Sequence, residues 1–139
     1  DDYNFQCSCG LKGCLETVAS ATGVVRLAKH HRDEFETKLP IEFSCKDVFD
    51  LAKESDPLCS FVVDKLGYYI AKCMSILSVT VDVDVFYVGG GVSKAGDILI
   101  NTIKKHYANL SHYAVKDVKI EAAQLLNDAG MLGAAGLVK

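Results

Sequence analysis

The sequence has little of what marks disordered, membrane-spanning or nucleic-acid-binding chains. Only two of its 139 residues are proline and no stretch is of low complexity, which argues against disorder. The longest apolar stretch, near Ile70 to Val81, contains Lys72 and is too short and polar to cross a bilayer. The net charge is -3 at pH 7, without the clustered basic patch that binds phosphate backbones. We therefore expect a folded domain that binds neither nucleic acid nor membrane.

From the residues present we expect neither a leader peptide nor a disulfide framework. The polar segment from Asp1 to Asn4 contains no initiating methionine and no basic or apolar run typical of a signal peptide. Three of the six cysteines share one short loop, whereas Cys45, Cys59 and Cys73 are scattered along helix-like segments. We expect a reducing, cytoplasmic location, a chain that is a piece of a longer protein, and these last three cysteines as buried small hydrophobic residues.

The first half of the chain has a helical pattern. Residues 1–14 are rich in Cys and Gly and are predicted to form a loop. A helix is predicted from Leu15, with a stripe that recurs every three or four residues: Leu15, Val18, Thr22, Val25 and Ala28. After a connector through Pro40, Ser44 is predicted to cap a short helix over about 45–53, with Asp47 in its first turn.

Asp56 and Pro57 are predicted to begin the longest helix, as N-cap and first helical residue. Its apolar stripe is Phe61, Val62, Leu66, Tyr69, Ile70, Cys73, Met74 and Leu77. Gly67 lies within this stripe and costs about 1 kcal/mol relative to alanine, so we expect a close contact between helices there. The pattern of this helix is that of a core helix, and no function is read from it.

The second half alternates strands and helices. A strand is predicted over 81–88, followed by a glycine turn and by a helix over about 94–107 that buries Leu99, Ile103 and Tyr107. A second strand over 118–123 leads to a final helix ending near Val138. The fold class is therefore α/β. Because two strands are too few for a stable sheet, we expect partner strands upstream of Asp1 or in a second copy.

The N-terminal loop concentrates cysteine. Cys7, Cys9 and Cys14 lie within eight residues, and Gly10 and Gly13 permit the positive φ angles that fold such a loop back on itself. Three thiolates suit a tetrahedral Zn²⁺ ion, and free reactive thiols are the alternative. The loop supplies no fourth ligand. His30 and His31 are expected at the far end of a helix, so neither is assigned as one.

Glu16 follows the last of these cysteines by two residues. As a carboxylate in the first turn of a helix it would be favoured by the helix dipole, and spacing alone supports that role best. Its functional alternative is to accept hydrogen bonds from sugar hydroxyls while the loop holds it in place. The sequence pattern leaves both roles open.

The loop and two later stretches resemble a known family. Residues 7–16 match the pattern C-x-C-G-x-x-G-C-x-E of the ROK family (repressors, open reading frames, kinases), and residues 88–93 and 126–135 agree with it. Residues 15–23 are particularly similar to the bacterial glucokinases of that family. The resemblance implies the C-terminal part of an actin-like, ribonuclease-H-like ATPase domain over residues 1–139, with a zinc loop at its start and the N-terminal catalytic domain absent.

The resemblance also implies roles for individual residues. Cys7, Cys9 and Cys14 would be zinc ligands, completed by a histidine upstream of the chain, and Glu16 would bind sugar hydroxyls. The catalytic aspartate and the phosphate loop would also lie upstream, so no catalytic residue is assigned here. The nucleotide would approach the turn formed by Gly89, Gly90, Gly91 and Val92. Asp128 is expected to cap the last helix rather than to act in catalysis.

The function implied by the resemblance is ATP- and Mg²⁺-dependent phosphorylation of glucose at its 6-hydroxyl, by a homo-oligomer such as a dimer. The isolated chain would be inactive. Two alternatives stay open. The first is a kinase for another hexose, such as N-acetylmannosamine or fructose. The second is a sugar-responsive transcriptional repressor, which would carry an upstream helix-turn-helix segment.

Overall fold

The computed structural model describes residues 3–90, 96–123 and 129–137. These ranges contain five α-helices and two strands, in the order α1 (Ala21–His31), α2 (Cys45–Lys53), α3 (Pro57–Val81), β1 (Val85–Val88), α4 (Asp97–Leu110), β2 (Lys119–Ala122) and α5 (Ala129–Gly136). Short 3₁₀ turns lie at Leu15–Thr17, Arg32–Glu34 and Tyr113–Val115. The predicted α/β order is confirmed. Among the described helices, none combines the length and apolar character needed to span a membrane.

The first helix begins later than predicted. Leu15–Thr17 form a separate 3₁₀ turn, and the extended backbone of Ser20 lets its hydroxyl accept a 3.0 Å hydrogen bond from the Gly23 N–H as the N-cap of α1. The predicted apolar stripe is confirmed at Val18 and Ala28, which are fully buried, but the break leaves other members of the stripe out of the core. Thr22 is exposed. The buried face of α1 consists of Gly23, Val24, Leu27, Ala28 and His31.

The starts of α2 and α3 are confirmed. The Ser44 N–H donates to Asp47 Oδ2 at 2.7 Å and the Asp47 N–H donates to Ser44 Oγ at 3.4 Å, which is a capping box. Asp56 caps α3 by accepting a 3.0 Å hydrogen bond from the Cys59 N–H, and Pro57 is the first helical residue.

The strand predicted over 81–88 is wrong in its first half. Helix α3 continues to Val81 and ends at Asp82, which is left-handed with φ 52°, so that β1 starts only at Val85. The last turns of α3 are held against α4, where Ser78 Oγ lies 2.7 Å from Tyr107 Oη. Tertiary contact of this kind overrides the β-propensity of an alternating valine segment.

Helices α3 and α4 form the centre of the core. A Cβ atom built on Gly67 of α3 would lie 2.5 Å from Thr102 Cγ2 of α4, so only glycine allows this approach. The close contact predicted at Gly67 is therefore confirmed. The predicted buried residues of α4, Leu99, Ile103 and Tyr107, are each at most 2% exposed.

The two strands form a parallel pair. Val85 of β1 aligns with Lys119 of β2 and Val88 with Ala122, and α4 makes the connection between the strands. Phe86, Val88 and Ile120 turn toward the helices, whereas Tyr87 is 64% exposed. One face of the pair is thus packed and the other is open, in the part of the chain that is described.

The C-terminal half of α3 leaves an apolar surface uncovered. Leu77, predicted to belong to the core, is 43% exposed. Its neighbours Ile76, Val79 and Val81 are more exposed still, at 58–64%. An exposed apolar surface of this kind marks a place where another part of the protein or a partner packs.

The three scattered cysteines are buried to different degrees. Cys59 is fully buried, as predicted, and burial together with the neighbouring Asp56 carboxylate raises the pKa of its thiol to about 12. Cys45 and Cys73 are half-buried, so the prediction was too strong for them. Desolvation raises the pKa of the Cys45 thiol to about 11.

Candidate functional site

The cysteine loop folds back on itself as its glycines predicted. Gly10 has φ 89° and Gly13 has φ 71°, both in the left-handed region. The Cys7 N–H donates to the Leu11 carbonyl at 2.8 Å, and the Gly13 N–H donates to the Phe5 carbonyl at 3.0 Å. These bonds close a compact loop whose side chains converge on one point.

That point holds three thiols. The Sγ atoms of Cys7, Cys9 and Cys14 all lie within 4.8 Å of one another, and those of Cys9 and Cys14 are 3.6 Å apart. Four sulfur ligands around zinc, each about 2.3 Å from the metal, would be separated by about 3.8 Å. The three thiols therefore fit the corners of a zinc tetrahedron. Among the described residues, no fourth His, Cys, Asp or Glu joins this cluster.

The thiols differ in how readily each gives up its proton. A backbone hydrogen bond at Leu11, supported by the thiols of Cys7 and Cys14, lowers the pKa of Cys9. Hydrogen bonding with Cys9 and Cys7 raises the pKa of Cys14 to about 11. Without a metal ion, negative charge is thus favoured on the Cys9 sulfur and disfavoured on the Cys14 sulfur beside it. A bound cation would favour the thiolate at every position.

The two histidines lie beside the loop's first residues and outside the thiol cluster. His31 Nδ1 is 2.9 Å from Glu34 Oε1, and His31 Nε2 is 2.9 Å from the Tyr3 hydroxyl. A carboxylate can only accept, so Nδ1 donates to Glu34, and Nε2 is within hydrogen-bond distance of the Tyr3 hydroxyl. His30 packs against the rings of Tyr3 and Phe5. As expected, neither histidine belongs to the cluster.

Glu16 lies on the 3₁₀ turn that leaves the loop. It lies on this separate turn, not in the first turn of the long helix that the sequence predicted, and its side chain is exposed. The Cys7 Sγ lies 3.5 Å from Glu16 Oε2, with the thiol as donor. The structure thus places an exposed carboxylate, able to accept hydrogen bonds from a ligand, directly beside the thiol cluster.

Three residues that support this turn were not predicted from the sequence. Thr17 Oγ1 donates to the Cys14 carbonyl at 2.6 Å, and Arg26 Nη1 donates to the Thr17 carbonyl at 2.8 Å. A Cβ atom on Gly23 would lie 2.8 Å from the Val18 carbonyl carbon. These contacts join residues three, five and nine positions apart, and the two longer ones cross the break before α1, which no periodic pattern marks.

The glycine turn after β1 is described only in part. Gly90 has φ 84°, and no atom of the described residues lies within 4 Å of the position its Cβ would take. Gly89 meets only the Ala123 side chain, at an ordinary 3.4 Å. Gly91, Val92 and Asp128 lie outside the described residues.

Comparison with curated proteins finds sugar kinases. The chain is 40% identical over 141 residues to the glucokinase of Halalkalibacterium halodurans, covering 96% of this chain and 43% of that enzyme. It is 28% identical over 135 residues to the N-acetylmannosamine kinase of Yersinia pestis, covering 97% of this chain and 43% of the kinase. The chain thus spans less than half the length of these relatives.

Comparison with solved structures and with protein families also finds ROK proteins. A ROK family glucokinase from Streptomyces griseus, solved in complex with glucose and AMPPNP, superposes with a TM-score of 0.85 at 26% identity. The superposition covers 99% of this chain and 48% of that one. Over its length the chain therefore has the fold of a ROK kinase, as the resemblance implied. The ROK family is matched over residues 1–139. The chain belongs to the ROK family.

Proposed function

We propose that the protein containing this chain transfers the γ-phosphoryl group of ATP to the 6-hydroxyl of a hexose, with glucose as its preferred substrate. The observation that carries the proposal is the exposed carboxylate of Glu16, held on a rigid turn beside the thiol cluster. A carboxylate can accept hydrogen bonds from two neighbouring sugar hydroxyls at once. The glucokinase and N-acetylmannosamine kinase relatives support a sugar as the ligand.

In this proposal the three cysteines hold a structural Zn²⁺ ion. The thiol spacing fits such an ion, which would stiffen the loop by linking three points of it. Residues 7–14 then brace the turn that carries Glu16. The fourth ligand comes from the part of the full-length protein outside this chain.

The nucleotide side of the proposed cleft is the turn at Gly89, Gly90, Gly91 and Val92. A glycine turn directly after a strand, with Gly90 in the left-handed region at φ 84°, supports close approach of a nucleotide to the backbone. Mg²⁺ would accompany ATP and neutralise phosphate charge. Catalysis is then mainly a matter of positioning, and the group that accepts the 6-hydroxyl proton belongs to the N-terminal catalytic domain of the full-length protein.

The test is a coupled ADP-release assay on the full-length protein with Mg-ATP and a panel of hexoses. We expect glucose to give the highest kcat/KM. We expect Glu16→Gln to raise the KM for glucose about 10- to 100-fold, because charge-assisted hydrogen bonds to the sugar are lost. The KM for ATP should change far less, since Glu16 faces the sugar.

The matched control is Glu42→Gln, which neutralises an exposed glutamate outside the loop and the turn. It should leave both KM values unchanged. An unchanged glucose KM in Glu16→Gln would contradict the role of Glu16. No turnover with any sugar, in a folded and zinc-loaded protein, would contradict the kinase proposal and favour the sugar-responsive repressor.

A kinase for N-acetylmannosamine is the second candidate, because a relative of that name matches as much of the chain as the glucokinase does, at 28% rather than 40% identity. The same panel of hexoses distinguishes a glucose kinase from an N-acetylmannosamine kinase. A kcat/KM for N-acetylmannosamine above that for glucose would select this candidate and leave the phosphoryl-transfer mechanism intact.

A further inference from the structure

We propose that Arg26 is a positioning residue for the sugar-binding carboxylate, acting through the backbone of the turn that carries Glu16. The Arg26 guanidinium donates a 2.8 Å hydrogen bond to the carbonyl of Thr17, the residue directly after Glu16. This inference rests on the proposed function of Glu16. It adds a residue on α1 that does not itself touch the sugar.

The turn needs such support because it is short. Leu15–Thr17 form a single 3₁₀ turn, and its N-cap residue Cys14 makes no capping hydrogen bond through its side chain. Isolated turns of this length are unstable because too few hydrogen bonds offset the ordering of the backbone. Contacts from outside the turn must therefore hold the Glu16 backbone in one orientation.

Arg26 supplies one of these contacts, and its side chain also lies against an aromatic ring. Its guanidinium lies 5.5 Å from the centre of the Phe5 ring, so it joins α1 to the segment before the cysteine loop. One turn earlier on α1, the absence of a side chain at Gly23 lets the helix approach the backbone of Val18. The rigid, planar guanidinium is well suited to fix a carbonyl in this position.

The Arg26 contact does not depend on the protonation of a thiol. The Cys7 Sγ reaches Glu16 at 3.5 Å as a thiol donor, and that donor disappears once Cys7 binds a metal as a thiolate. The hydrogen bonds from Arg26 to Thr17 and from Thr17 to Cys14 involve no thiol proton. In the zinc-loaded protein they therefore carry the positioning of Glu16.

The experiment compares Arg26→Met, Arg26→Lys and Glu16→Gln in the zinc-loaded full-length protein. Methionine keeps an unbranched side chain beside Phe5 but cannot donate to the Thr17 carbonyl. The readouts are the KM for glucose, the KM for ATP, the calorimetric Kd for glucose without ATP, and zinc bound per chain. We expect Arg26→Met to weaken glucose binding about 10-fold while the KM for ATP and the zinc content stay within about twofold. Arg26→Lys, which keeps a cationic donor, should recover part of the loss.

The matched control is Arg32→Met. Arg32 makes the same kinds of contact elsewhere, donating to the Pro40 carbonyl at 3.0 Å and lying 5.9 Å from the centre of the Phe43 ring. We expect Arg32→Met and Arg26→Met to lower the melting temperature by similar amounts, and Arg32→Met to leave glucose binding unchanged.

Two results would overturn the positioning role of Arg26. One is glucose affinity within about twofold of wild type in Arg26→Met while Glu16→Gln loses it. The other is an equal loss of glucose, ATP and zinc binding, which would mean general damage to the fold. If Glu16→Gln itself keeps full glucose affinity, the proposed function of Glu16 fails, and with it the premise of this inference.

Discussion

At the scale of single residues, Asp56 shows how one buried carboxylate can join two segments. It is 5% exposed and accepts hydrogen bonds from the Thr37 hydroxyl at 2.8 Å, the Lys38 N–H at 2.8 Å and the Cys59 N–H at 3.0 Å. Burial alone would raise the pKa of this carboxyl, but the hydrogen bonds outweigh burial and hold its pKa below the usual value. The sequence predicted only the helix cap, because the partners at 37 and 38 belong to a distant connector.

The pKa shift predicts a pH-dependent stability. Because the folded pKa of Asp56 lies below the unfolded value of about 3.9, the charge stabilises the fold at neutral pH. This contribution is lost as the pH falls below about 4 and through the folded pKa. We expect Asp56→Asn to lower the free energy of unfolding by about 1–3 kcal/mol at pH 7, and by less at the lowest pH at which the protein stays folded.

Urea unfolding of the wild type and of Asp56→Asn, at pH 7 and at that lowest pH, measures the difference in the free energy of unfolding. Asp50→Asn is the control, because Asp50 pairs with Lys46 at the surface and should change stability by less than about 1 kcal/mol. An Asp56→Asn deficit of equal size at both pH values would show that the charge of Asp56 is not what stabilises the cap.

At the scale of helices and strands, the crossing of α3 and α4 depends on Gly67. The Thr102 Cγ2 atom occupies the space that a Cβ atom at Gly67 would need. Alanine at this position would gain about 1 kcal/mol in helix propensity but would overpack the crossing at a cost of about 1–3 kcal/mol. Packing and propensity thus oppose each other here, and packing decides.

We therefore expect Gly67→Ala to destabilise the protein, measured as a lower melting temperature and a lower free energy of unfolding. Adding Thr102→Ser should recover part of the loss, since it removes Cγ2 and keeps the hydroxyl that donates to the Ile98 carbonyl at 2.7 Å. The coupling is read from a double-mutant cycle with both single variants. Additive effects would show that the clash lies elsewhere than at Thr102.

At the scale of the whole molecule, two surfaces of the described chain are uncovered. The parallel pair of β1 and β2 is packed on one face only, and Ile76, Val79 and Val81 project from α3 without cover. Two strands alone make a weak sheet. Together with the 43% coverage of the relatives, this supports the proposal that residues 1–139 are part of a larger ROK kinase domain.

We expect residues 1–139, expressed alone, to give no sugar-dependent ADP and to bind well under one zinc ion per chain. No described residue offers a fourth ligand to Cys7, Cys9 and Cys14, and the proposed proton acceptor lies elsewhere. Zinc is measured by metal analysis and ADP by the coupled assay, against the full-length protein. In that protein Cys9→Ser should remove the zinc and Cys73→Ser should not. One tightly bound zinc ion per isolated chain, or ADP production by it, would contradict this expectation.

The sequence by itself determined the local features that short-range chemistry controls. The caps at Ser44 and Asp56, the positive φ angles at Gly10 and Gly13, and the convergence of three cysteines all follow from residues a few positions apart. The close contact at Gly67 was also predictable, because a glycine inside an apolar helical stripe is costly without one.

The tertiary structure decided what depends on distant partners. It extended α3 to Val81 through the packing of Ser78 against Tyr107, where the alternating valines predicted a strand. It also broke the first helix at Ser20 and brought Arg26 to the turn that carries Glu16. The physical reason is the same in each case: hydrogen bonds and packing between separate segments outweigh a residue's local preference, and periodicity in the sequence records only that preference.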